Sequence, residues 1–335
     1  MNNYFFNEKI DSKTLLKKEL KSMYVQFGPQ HPGSHGLIRF TLELLGETIV
    51  NSILYIGLLH RGTEKLMETR PFYMGTPYMN RLDYVSSVAS EHAHVLAIEN
   101  LIDFKNNSSS FLKIRTVFDE LNRILNHLMH IGVLLFDTGN FFIFFFFLEW
   151  REHLMSFFEI VTGARLHSAM YKPFENRFNY FNFFLIENIN YYLSYFLFFF
   201  KNFFQPVLFF RIVKIRFVGV GVLSKNWSQS ASISGVIARS AGLKYDVRLP
   251  AQSTYAFYKF IKFKTYIGTM GDLYDRIILM FSEIVESCII ITQVLFKTYL
   301  SSFNADFDTN TKRLHTETTN YMFYTTDHAK IHQYV

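Results

Sequence analysis

Two aromatic runs, FFIFFFFL (141–148) and YYLSYFLFFFKNFFQPVLFF (191–210), constrain this chain more than any other feature. Apolar surface on that scale must leave water, for a bilayer or for a protein interior. A membrane-spanning helix needs about 20 mainly apolar residues. The first run is too short, and the second is broken by Lys201, Gln205 and Pro206. Both therefore read as buried helices of a tightly packed assembly. Phe alone accounts for 39 of the 335 residues, so part of this surface is expected to need covering by other chains.

The remaining organisation follows from periodicity. A polar leader, 1–24, precedes a stretch, 25–60, in which apolar and polar residues alternate between Gly and Pro turns, the pattern of short strands. From about residue 61 to 300 the period becomes helical. YVSSVASEHAHVLAIENLI reads as a helix and NNSSS (106–110) as a loop. FDELNRILNHLMHIGVLLF carries apolar residues at 121, 124, 125, 128, 131 and 135, one helical stripe with Asp119 placed near its start. A helix from about 149 to 162 stops at Gly163, the Phe-rich stretch 178–204 is a helix or helix pair, and KIRFVGVGVLS returns to strand or loop. A long helix runs over 272–300, and an irregular tail covers 301–335. The expected class is α+β, mostly helical, with a small N-terminal β region.

Charge and cysteine content exclude several functions. The net charge of +6 would suit a polyanion, but the Lys and Arg are scattered, with no basic run or recognition motif, which argues against nucleic-acid binding. A single cysteine, Cys288, rules out an internal disulfide framework and an iron–sulfur site built from four cysteines of this chain. The leader mixes Lys with Glu8, Asp11 and Glu19 and lacks Arg, so it resembles neither a signal peptide nor a transit peptide. The wealth of Phe, Tyr, Asn, Ile and Lys suggests AT-rich coding, as in an organelle's own genome; a product made inside the mitochondrion needs no import signal.

The segment FGPQHPGSHG (27–36) places His31 and His35 four residues apart, a spacing that would suit a metal on a helix. Pro32, Gly33 and Gly36 forbid a stable helix there, so the argument for a metal site fails and either a polar turn or a binding loop remains open.

Seven segments in order are more informative: FGPQHPGSHGLIRFTLEL, IGLLHRGTEKL, PYMNRLDYVSS, NRILNHLMHIG, VTGARLH, GVIARSAGLKYDVR and GDLYDR. Together they resemble the quinone-site subunit family of respiratory complex I, which is itself related to the large subunit of nickel–iron hydrogenases. The resemblance covers about residues 25 to 300 and implies a hydrogenase-like helical core. Hydrogenases hold nickel with two Cys-x-x-Cys pairs, the first after an Arg-Gly-x-Glu segment. Here RGTE (61–64) is present, but RLDYVS has Asp83 and Ser86 where the first cysteines would fall. Soft thiolates select such a metal, so hydrogenase chemistry is excluded and no metal site is expected on this chain.

What the resemblance implies in its place is a ubiquinone site. Reducing a quinone adds two electrons and two protons across two carbonyl oxygens, and each oxygen needs a donor able to pass on a proton. By resemblance His35 and Tyr84 contact the headgroup, with His31 in the same binding loop, and Asp137, in LLFDTGN, pairs with the loop histidine. A carboxylate there would favour imidazolium and lose its partner once the proton has left, a first step toward proton pumping; an aspartate ending a turn is the alternative. Arg61 and His167 are expected beside the terminal 4Fe–4S cluster of a neighbouring subunit, where a cation favours the electron. Asp246, Arg248, Asp272 and Arg276 read as buried structural ion pairs. His92, His94, His127 and His130 read as helix-surface or packing residues.

The same resemblance implies no cofactor bound by this chain alone, other matrix-arm and membrane-arm subunits as partners, and a peripheral place on the matrix side of the mitochondrial inner membrane. Three departures stand out. RSAG replaces the family's usual Arg-Gly/Ala-Ser-Gly, YKPFENRF follows VTGARLH where a Pro-Gly-Gly turn is usual, and the family's C-terminal portion is not seen. A separate chain is expected to supply that portion. The rival reading is a degenerate structural scaffold without quinone chemistry.

Overall fold

The computed structural model describes residues 22–31, 34, 36–46, 48–103, 109–173, 183–249, 257–302 and 332–334. The chain divides into two compact units, one ending at Gly62 and the other beginning at Thr63.

The first unit is an antiparallel meander of β1 (Met23–Phe27), β2 (Arg39–Leu45) and β3 (Thr48–Tyr55). Its register pairs Phe27 with Phe40 and Arg39 with Tyr55, and a bulge interrupts β2 between Glu43 and Leu44. The β1–β2 connection leaves through Gly28, where φ is +79° and an added Cβ would sit 2.3 Å from the Ile38 carbonyl oxygen. Only glycine combines that backbone with that approach. The buried Ser34 closes the loop, its hydroxyl donating to the carbonyls of Pro29 (2.8 Å) and His31 (3.0 Å). The His31 ring lies 3.9 Å from that of Phe27. His35 lies outside the described residues.

The second unit is helical, in keeping with the α+β, mostly helical class. Short helices α1 (Thr63–Thr69) and α2 (Thr76–Asn80) lead into α3 (Ser87–Leu101), α4 (Ser109–Asp137) and α5 (Phe141–Thr162). Then come α6 (Phe183–Phe199), α7 (Arg211–Phe217), α8 (Lys225–Ser230) and α9 (Gly235–Ser240). A short β4 (Thr265–Ile267) precedes α10 (Leu273–Ser302). The predicted stripe on α4 is buried at every position: Leu121, Ile124, Leu125, Leu128, Ile131 and Leu135. It meets Phe281, Ile284, Ile291 and Leu295 of α10 and Phe147, Leu154 and Phe158 of α5 in one hydrophobic core.

Several expectations shift. Helix α4 begins ten residues before Asp119, so Asp119 sits mid-helix and cannot act at the helix start; Ser109 and Ser110 of the expected loop are already helical. FFIFFFFL belongs to α5, which begins at Phe141 and ends as expected at Gly163, whose φ of +80° and N–H bond to the Glu159 carbonyl (2.8 Å) close the helix. KIRF ends helix α7 where a strand or loop is predicted. In the tail, β5 (His332–Tyr334) pairs antiparallel with β4, because three residues there find a partner edge that local sequence cannot reveal.

The aromatic runs split between two environments. Tyr192 and Phe196 stack at 5.7 Å, Phe147 stacks on Phe204 at 4.3 Å, and Phe200 meets Phe281 at 5.1 Å. The opposite faces leave Phe141, Phe142, Phe145, Phe184, Phe198 and Phe203 exposed. After α6 the chain widens into a π turn at 200–204 and then tightens into a 3-10 turn at 205–209, where Pro206 removes a backbone donor. The segments on either side of Phe210 are bent by 61°. Among the described residues one single helix, α10, is long and apolar enough to cross a membrane, and 78% of its apolar window is buried within the protein.

Candidate functional site

Helix α4 carries charge on the faces its apolar stripe leaves open, and partners distant in sequence meet it there. Arg115 donates two parallel bonds to Glu99 of α3, at 2.8 and 2.9 Å, and its guanidinium stacks on the Phe111 ring at 3.9 Å. Four residues on, Asp119 binds His92 Nδ1 at 2.6 Å through one oxygen and accepts from the Tyr171 hydroxyl at 3.0 Å through the other. Asn122 donates to the Ser86 hydroxyl at 2.8 Å and so fixes the start of α3. Ser86, His92, Asp119 and Asn122, with Arg123 and His127, line a cavity of about 250 Å³ between α3 and α4.

Behind the cavity lies a buried ionic network. Glu120 is fully buried and accepts from the Tyr258 and Ser287 hydroxyls, each at 2.6 Å, from Arg123 at 3.2 Å and from Arg248 at 3.3 Å. Arg248 also pairs with Asp246 at 2.8 Å, and Arg239 and His127 hold Glu283 at 2.5 and 2.9 Å. Three carboxylates face three guanidiniums. Burial opposes ionisation of Glu120, but Arg123 and Arg248 outweigh it and hold the carboxyl below its usual range; Glu283 is held down likewise by Arg239 and His127. Asp272 and Arg276 work differently. Asp272 accepts from the Asp275 N–H at 2.8 Å and the Gly219 N–H at 2.9 Å, while Arg276 donates to the carbonyls of Gly271 and Gly221.

Tyr84 stands in the turn between α2 and α3, two residues before Ser86. The phenol is half-buried, and burial, reinforced by the Asp83 carboxylate, raises its pKa above the ordinary 10.0. It therefore remains a proton-carrying donor throughout the physiological range. Asp137 is the last residue of α4 and is exposed, at the helix end whose dipole disfavours an anion, a place where a cationic partner gains most. His167, half-buried in the loop after α5, has a φ of +51°, and its Nδ1 is buried with no hydrogen-bond partner among the described residues. Arg61 is exposed at the end of the first unit. Tyr84, Asp137 and His167 thus share the helical unit, whereas His31 and Arg61 belong to the β unit.

Local sequence reading undervalues two histidines. His92 and His127 are buried in pairs with Asp119 and Glu283, not surface or simple packing residues; His94 bonds the Phe72 carbonyl at 3.2 Å, and His130 is exposed. It also passes over Glu91, whose carboxylate is fully buried against the His167 loop. The available signal was the recurrence of Arg115, Asp119 and Arg123 at i, i+4 and i+8, alternating charges along one face of α4. Among the described residues no group of three or more His, Cys, Asp or Glu side chains is placed to hold a metal ion.

Comparison with known proteins agrees over most of the chain. Residues 137–334 match the family described as respiratory-chain NADH dehydrogenase, 49 Kd subunit. The NADH-ubiquinone oxidoreductase 49 kDa subunit of Paramecium tetraurelia is 42% identical over 278 residues, spanning 83% of this chain and 70% of the relative. The corresponding NADH-quinone oxidoreductase subunits of Xylella fastidiosa and Xanthomonas campestris are 38% identical in each case, spanning 83% of this chain and 68% of each relative.

Proposed function

The chain belongs to the 49 kDa subunit family of respiratory NADH dehydrogenase, and from that premise we propose that it forms the ubiquinone-reduction site of complex I together with a subunit bearing the terminal 4Fe–4S cluster. As a core complex I subunit it is part of an NADH:ubiquinone oxidoreductase and works among the other subunits of that assembly. Its single cysteine is buried in α10, so the cluster that delivers the electrons is held by the partner.

The observation that carries the quinone reading is Tyr84. A half-buried phenol with a raised pKa keeps its proton and presents an O–H donor to one quinone oxygen. The Asn122–Ser86 bond fixes the start of the next helix, which limits the freedom of the Tyr84 turn. In this reading His35 serves the other oxygen and His31 lies beside it in the loop. Asp137 favours the imidazolium form of His35 and is released when that proton moves to the quinone, the step that couples reduction to proton pumping. His167 and Arg61 lie toward the partner's cluster, where positive charge favours the electron. The exposed Phe faces of α5 and α6 are covered by further subunits, and the assembly sits on the matrix side of the mitochondrial inner membrane.

The test is inhibitor-sensitive quinone reduction by the assembled enzyme carrying Tyr84→Phe or His35→Ala. Each is expected to lose at least tenfold in turnover while assembly is unchanged. Undiminished turnover in both would refute the assignment.

A further inference from the structure

Glu91 lies on α3 with its side chain entirely excluded from solvent. One carboxylate oxygen accepts from two consecutive backbone N–H groups, Met170 at 2.7 Å and Tyr171 at 3.1 Å. The other oxygen is buried with no hydrogen-bond partner among the described residues. Tyr171 is held at its far end as well, its hydroxyl donating to Asp119 and to the Arg115 carbonyl on α4. The segment so anchored is under backbone strain. His167 and Ala169 have φ of +51° and +41°, the left-handed region that side-chain-bearing residues rarely enter. Such strain persists only where the surroundings hold it, and the nearest fixed points after Ala169 are the two amides bound by Glu91.

We propose that Glu91 is a positioning residue that sets the placement of His167 by gripping the Met170 and Tyr171 amides, and that a proton taken up on its unpartnered buried oxygen favours this closed arrangement of the loop. A carboxylate accepts N–H bonds roughly twice as strongly as a neutral group, but a charge buried with one oxygen unpartnered loses more to desolvation than those bonds return, so the proton stabilises the closed loop against an opened, solvated one. Burial raises the Glu91 pKa to about 7, and the backbone bonds only partly oppose it, so the change falls in the physiological range. The groups facing it are Asn80 of α2, the Tyr171 phenol of the loop, and, beyond that phenol, Asp119 and Arg115 of α4, with His92 adjacent on α3. None of them supplies a cation in direct contact with the carboxylate. The significance of His167 rests on its proposed place beside the partner's cluster; the grip on the loop does not.

The experiment is amide hydrogen exchange at Met170 and Tyr171 in the purified assembly from pH 5.5 to 8.5, normalised to intrinsic rates, for wild type and Glu91→Gln. Wild-type protection is expected to rise at least tenfold as pH drops through the neutral range, and the isosteric variant is expected to show no such step; a fall in wild type would overturn the proposal. Protection that is independent of pH in wild type overturns the proposal, as does a step that survives in Glu91→Gln. The pH slope of the partner cluster's midpoint potential is read on the same samples. If the exchange step vanishes in the variant while the slope is unchanged, Glu91 positions the loop as proposed and the placement of His167 at the cluster is wrong.

Discussion

Glu120 offers the most exacting test of how this interior is held together. It is fully buried, and two hydroxyls and two guanidiniums converge on its oxygens between 2.6 and 3.3 Å. Glu120→Gln keeps the volume and one acceptor oxygen but removes the charge. Three guanidiniums would then face two carboxylates, those of Asp246 and Glu283, leaving one cation uncompensated. Breaking a buried pair in this way costs about 3–5 kcal/mol, whereas weakening a single neutral hydrogen bond costs about 0.5–1.5 kcal/mol. For a unit of this size each kcal/mol corresponds to about 2–4 °C, so melting should fall by at least 6 °C. Differential scanning of the purified assembly at pH 7 measures the shift. The companion variant Glu120→Gln/Arg248→Met restores charge balance and is expected to recover more than half of the loss. A single-variant cost below about 1 kcal/mol, or a double variant no more stable than the single, would refute charge balance as the controlling quantity.

Further outcomes follow from other positions. Glu91, with a folded pKa of about 7 against an unfolded 4.5, binds more protons folded than unfolded between those values. Its contribution is most favourable below pH 4.5 and is lost as pH rises to 7, about 3 kcal/mol in all; Glu91→Gln should flatten that part of the curve of melting temperature against pH. Gly271→Ala would set a Cβ 2.3 Å from the Leu223 carbonyl oxygen at a φ of +69°, and should destabilise by more than about 1 kcal/mol in the same assay. Asp137→Asn should lower quinone turnover while leaving the melting temperature within about 1 °C, because the side chain is exposed; a large thermal shift would reassign it to a structural role. Arg115→Met would strand Glu99 inside the fold, and the loss of stability should exceed that of Glu99→Gln/Arg115→Met.

How much of this was legible in the sequence depends on the range of the interaction. The α4 stripe, the stop at Gly163 and the long α10 were readable because each rests on periodicity or on one glycine's freedom, both local properties. Asp119 was misread because local rules place an aspartate at a helix start, while its partners, His92 and Tyr171, lie 27 and 52 residues away. FFIFFFFL was read as a buried helix, but being apolar at every position it has no period to show that it runs on without a break into the helix expected over 149–162. Glu91 looked like an ordinary helix glutamate, since nothing nearby in sequence signals the amides that would receive it, 79 and 80 residues on. Tyr84 was reached through its motif, and its raised pKa comes from burial and a neighbouring carboxylate that only the fold could weigh.

Helix α4 can finally be regarded as a mechanical part. Its 29 residues make a rod about 43 Å long. Bonds to Glu99, His92, Ser86, Arg248 and Glu283 pin its middle section at five successive levels. A slip of one turn along its axis would break all of these attachments at once, so the rod resists axial load as a unit. Any displacement begun at its Asp137 end therefore cannot be taken up by sliding. It must be passed through Thr138, Gly139 and Asn140, the three-residue joint to α5, which puts α5 and its exposed aromatic face first in line to move.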